Sequence, residues 1–274
     1  MKLTYTIQTN KYIWKNFLYI FPFALIPAFF LSLSIVSDTM SAVLQNFFTG
    51  NLSSWTFADL FRAISILNFG SWQSALSGIA GLLVIVPCVS LLMALLEKHM
   101  RIGKRTFNGL LSKLNDNFPS TFLYGAVVLV VYELWALITA AMLFLLSLIP
   151  HVITAYIFIV VAFLSLHAAL LYVLGIIYLW LPCMQITGFP VLEALQHSYQ
   201  LVLPVRWGIF AEQMCFLLFT ETIIGVCAVF LPNSITFTLI TTALILLLFL
   251  YYLVRMEVVY FGQEHLERMD LKKY

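Results

Sequence analysis

Six apolar runs dominate the chain, at about 17–36, 74–96, 120–148, 154–181, 207–231 and 235–254. Each reaches or exceeds the roughly 20 residues that carry a helix across a bilayer. The segments between them are mostly amphipathic. Leu3, Ile7, Trp14 and Leu18 recur at helical spacing, with Lys11 and Lys15 on other faces. That pattern predicts an interfacial helix over Leu3–Asn16, its lysines toward headgroups. Phe107, Leu110, Leu111 and Leu114 predict a second, and Val191, Leu195, Tyr199 and Val202 a third, ended by Pro204. Residues 37–72 form the longest non-spanning stretch. Phe57, Leu60, Phe61, Ile64 and Leu67 predict a short helix there, resting on the outer surface. Pro150 and Pro232 mark tight connections, and Pro182 marks the end of the fourth run.

Composition agrees with lipid as the solvent. The chain is 62% apolar and 9% charged, against roughly 25% charged in a soluble domain. The fold class is therefore all-α: a polytopic transmembrane bundle of six helices, forming one integral membrane domain. The four cysteines have no metal-ligand or disulfide spacing and read as packing residues. The sequence predicts no cofactor, no metal and no nucleic-acid partner. An enzyme is also not expected. HExxH, a phosphate-binding P-loop and G-x-S-x-G are all missing. The nearest approach, Ser77 with Gly78, has Ala75 where the nucleophile elbow needs glycine.

Charge sets the expected orientation. With the N-terminus in the cytoplasm, every one of the fourteen lysines and arginines except Arg62 falls on the cytoplasmic side, as the positive-inside rule requires. The C-terminus then faces the cytoplasm too, with 255–274 as a polar tail. The segment 97–117 is a basic cytoplasmic loop. Its Lys98, Arg101, Lys104, Arg105 and Lys113 read as a topology signal and as candidate contacts to anionic lipid headgroups.

The runs also fall into three units of the same sense, each an amphipathic helix, an outward span and a return span. Gly103-x4-Asn108-Gly109-Leu110 aligns with Gly188-x4-Glu193-Ala194-Leu195, and Pro119 then falls on Pro204. These would be parallel repeats, not an inverted pair. The segment Gly188…Ala194-Leu195-x-x-Ser198-x-x-Leu201, followed by Arg206 and a new span, resembles that of bacterial six-helix inner-membrane proteins of uncharacterised function. It is similar to the membrane domain associated with glycerophosphodiester phosphodiesterases. Gln196 and His197 stand where that segment often has a basic pair. The resemblance implies a six-helix fold in the bacterial cytoplasmic membrane. It implies no catalytic residue.

The chemistry lies inside the spans. Glu133 falls about thirteen residues, and His167 and Glu221 about fourteen, from a cytoplasmic end, hence near one depth of roughly 20 Å. Glu212 and Gln213 lie closer to the cytoplasm, as an entrance would. An ionised carboxylate at the bilayer centre costs roughly 2.5–3.5 kcal/mol, so each needs a partner or a proton. Two readings follow. One is polar glue between helices in a scaffold, subunit or lipid-interacting protein, with membrane lipids and other membrane proteins as partners. The alternative is a small-solute or ion permease using Glu133, His167 and Glu221. Convergence on one cavity favours the permease, and acids bonded singly to neighbouring helices favour the scaffold.

Overall fold

The computed structural model describes residues 3–67 and 71–271. Lys2, Lys272 and Lys273 of the expected cytoplasmic charge, and part of the 37–72 segment, lie outside the described residues. Everything described is helix or short connection. Six helices are long and apolar enough to span: α1 (Leu3–Ser34), α4 (Trp72–Ile102), α5 (Leu110–Ser147), α6 (Val152–Ile176) continued by α7 (Trp180–Ile186), α9 (Arg206–Phe230) and α10 (Ile235–Gln263). Shorter helices are α2 (Ser37–Thr49), α3 (Phe57–Ile64) and α8 (Val191–Val202).

The long helices close a ring in chain order. Helix α1 packs on α4, α4 on α5, α5 on α6, α6 on α9, α9 on α10, and α10 returns to α1. Both chain ends lie on one face, hereafter the terminal face: Arg268 donates to Gln8 at 3.1 Å and Gln263 to Tyr5 at 2.8 Å. The ring interior is filled from both sides. On the far side, α2 packs on α9 and on α3, and α3 packs on α5. On the terminal side, α7 touches both α5 and α10. Its residues Trp180 to Met184 are buried.

Several helix ends differ from the hydropathic reading. The predicted interfacial helix 3–16 is the first half of α1, with no break before the apolar run. Asn16 is buried and satisfied, donating to Tyr12 O at 2.9 Å and accepting from Arg105 Nε at 2.9 Å. The basic loop shrinks to 103–109, because α4 runs to Ile102 and α5 begins at Leu110. Pro119 stays inside α5, whereas Pro204 sits in the turn between α8 and α9. Of the three expected interfacial helices, the last alone is a helix of its own. Pro182 does not close the fourth span. The break comes at 177–179, and Pro182 lies in the first turn of α7, where an N–H has no helical acceptor to lose.

The largest difference is the C-terminal segment. Residues 255–263 are the end of α10, not a tail, and every residue from Leu253 to Phe261 is at most 3% exposed. They pack among Leu92–Leu96 and Met100 of α4 and Tyr178–Cys183. The core of the protein therefore sits in the terminal half of the ring.

Close approach of α1 to α4 depends on small residues. A Cβ on Gly81 would stand 3.3 Å from the backbone nitrogen of Leu31 and 3.2 Å from its side chain. Gly81→Leu should therefore destabilise the fold by about 1–3 kcal/mol, the usual cost of overpacking. Gly125→Leu, where a Cβ meets nothing within 4 Å, should leave the detergent melting temperature unchanged.

Candidate functional site

The sequence places three titratable groups near one depth, and each has a definite environment. Glu133 lies on α5, fourteen residues short of the helix end at Ser147, about 21 Å of rise. Its carboxylate accepts from Ser65 Oγ at 2.7 Å, Ile66 N at 3.0 Å and Leu67 N at 3.1 Å. The neighbouring Tyr132 donates to Ile64 O at 2.8 Å. The segment 57–67 thus does not rest on the outer surface. It turns down into the ring, where Leu60 is 1% exposed, and its end is received by Tyr132 and Glu133. The physical reason is local. A helix end leaves backbone groups without partners, and in an apolar interior these cannot be left bare. Glu133 supplies acceptors for the N–H groups, and Tyr132 supplies a donor for the carbonyl.

His167 and Glu221 form a separate pair between α6 and α9. His167 is fully buried, and its Nε2 lies 2.9 Å from Glu221 Oε2. Its Nδ1 lies 2.9 Å from the Phe163 carbonyl. A carbonyl only accepts, so Nδ1 carries the proton. Nε2 and Glu221 then share one more. The pair is either imidazolium with carboxylate or imidazole accepting from a carboxylic acid. Trp135 packs edge-on against the imidazole at 4.6 Å and Phe163 lies at 4.1 Å. Trp135 also donates to Leu166 O at 2.8 Å, which ties α5 to α6 beside His167.

Glu212 is nearer the terminal face. It binds Arg255 at 2.5 Å, accepts from Tyr251 at 3.3 Å and is also bonded by Thr6. Three helices meet there: α1, α9 and α10. Arg255 reaches Gly208 O at 3.3 Å as well. Its side chain is 4% exposed and that of Glu212 is 14% exposed. Sequence reasoning missed Arg255 entirely. Its signal was a charge directly after an apolar run, which is also what a span end looks like. Gln213 is separate, and its amide oxygen and nitrogen are buried without a bonded partner.

The basic residues divide. Lys98 donates to Asn108 O, Arg101 pairs with Glu97 at 3.4 Å, and Arg105 donates to Asn16 and to Lys15 O at 2.8 Å. Lys98 and Arg105 thus tie the 103–109 connection to α4 and α1, whereas the Arg101–Glu97 pair lies within α4. Lys104 and Lys113 are exposed. No group of three or more His, Cys, Asp or Glu suited to a metal ion occurs among the described residues.

The six apolar helices in a closed ring define a multi-pass helical membrane protein. No family model, curated protein or solved structure matches the chain.

Proposed function

We propose that this chain is a non-catalytic integral membrane protein that acts as a lipid-interacting scaffold or subunit. One observation carries the reading: the mid-depth acids are each engaged by a neighbouring element. Glu133 holds 65–67, and Glu221 holds His167. The filling of the ring by α2–α3 and by α7 supports the same view. Interhelical hydrogen bonds of this kind contribute about 0.6 kcal/mol each on average, so their role is to fix geometry. Exposed Lys104 and Lys113 offer contacts to anionic headgroups at the terminal face. The positive-inside rule assigns that face to the cytoplasm, and the resemblance noted above suggests the bacterial cytoplasmic membrane.

The permease reading keeps one supporting observation, the His167–Glu221 pair, which can hold or release a proton between two helices. Proteoliposomes separate the two. The scaffold reading expects no proton or cation flux above that of empty vesicles under an imposed gradient. A gradient-driven flux that disappears in Glu221→Gln, with the melting temperature kept, would overturn it.

A further inference from the structure

We propose that the groove between α6, α8 and α9 binds one anionic glycerophospholipid, its phosphate on Arg206 and an acyl chain along Leu171 and Phe210. The groove lies at the terminal-face ends of these helices, with Gly175 and Val202 among the residues that line it. Arg206 begins α9 and is half-buried at the rim. Of the six arginines, Arg105, Arg255 and Arg268 are held by hydrogen bonds and Arg101 by Glu97. Arg206 instead stacks over Trp207, 5.3 Å from the ring centroid, and is in none of the salt bridges among the described residues.

A cation at the edge of hydrocarbon is favourable when an anion meets it, and planar guanidinium suits a phosphate bidentately. Trp207, 64% exposed, and Tyr199, 45% exposed, flank it as aromatic residues flank headgroups. Below the rim the wall turns apolar. A Cβ on Gly175 would meet nothing within 4 Å, so the apolar wall is open beside it. Charge at the rim and grease below match a phospholipid end to end, and a free phosphate would leave the lower groove unused.

The inference rests on the lipid-interacting reading and sharpens it to one site. Purified, delipidated protein is titrated with dioleoyl phosphatidylglycerol or dioleoyl phosphatidylcholine, and the first lipid adduct is followed by native mass spectrometry. Wild type should prefer phosphatidylglycerol. Arg206→Gln should weaken that adduct by about tenfold, the loss of one charged hydrogen-bond set. Arg206→Lys should keep part of the preference. Gly175→Trp should abolish the first adduct of both lipids with the charge still present. Unchanged binding in Arg206→Gln and Gly175→Trp would overturn the site. If the preference is lost instead in Lys104→Gln with Lys113→Gln, the site is wrong while the lipid-interacting reading stands. If wild type retains neither lipid, both fall.

Discussion

Arg255→Met should lower stability by about 3–5 kcal/mol, the cost of removing one partner from a buried ion pair. The reason is what stays behind. Glu212 would keep a carboxylate at 14% side-chain exposure, with two hydroxyl donors, Thr6 and Tyr251, and no countercharge. Glu212→Gln should cost less, because the amide still accepts from Tyr251 and Thr6. It does leave Arg255, which already has Nε and one Nη unpartnered. The double variant Glu212→Gln with Arg255→Met should recover much of the single-variant loss, because neither charge is then stranded. Melting temperatures in one detergent give all four corners of the cycle. A double variant as damaged as the sum of the singles would show that the two do not act as a pair. The magnitude matters for the architecture, since this pair joins α9 to α10, where Tyr251 also donates to Glu212 and Arg255 to Gly208 O.

The same residue shows where hydropathy stops being informative. Apolar runs are visible because every residue in them contributes the same sign, so all six spanning helices could be read in the chain. Helix ends are different. Arg255 and Glu257 look like the edge of water, yet α10 continues through both to Gln263. The partner of Arg255 is Glu212, forty-three positions earlier on another helix, and no local pattern contains it. The N-terminal lysines mislead in the same direction. Lys11 and Lys15 suggest a separate surface helix, but nothing between Leu3 and Phe21 breaks the backbone, so α1 simply starts early. For the candidate site, a constant rise per residue gives an expected depth from sequence. It gives no partners. Glu133 and Glu221 have similar surroundings in the sequence, one apolar run each, and entirely different partners in space. The period of Phe57, Leu60, Phe61 and Ile64 likewise fits a helix on the surface or one turned inward. Only the acceptor waiting on α5 decides between them.

That acceptor leads to the second large effect. Glu133→Ala removes hydrogen bonds from Ser65 Oγ, Ile66 N and Leu67 N at once. Bonds to a charged acceptor contribute about 1.5–3 kcal/mol each in favourable cases. Glu133 is only half-buried, so water would replace part of what is lost, and a net local penalty of about 2–3 kcal/mol is expected. The penalty should fall on the 57–67 segment, because α5 itself keeps its own helical bonds. Local opening, not global melting, is therefore the right observable. With the four native cysteines, including exposed Cys215, replaced by alanine, a cysteine placed at Ile66 leaves the backbone N–H intact and reports access by its maleimide labelling rate. In the Glu133→Ala background that rate should rise about 30-fold or more, since each 1.4 kcal/mol is a factor of ten. Glu133→Gln should lie between, because its amide oxygen still accepts from Ile66 and Leu67 while its NH2 faces the Ser65 hydroxyl, which can accept. A rate equal to wild type in both variants would mean that the segment is held by the packing of Leu60 and Phe61 alone. In that case Glu133 would be free for other chemistry, and the permease reading would gain the acid that the scaffold reading assigns to structure.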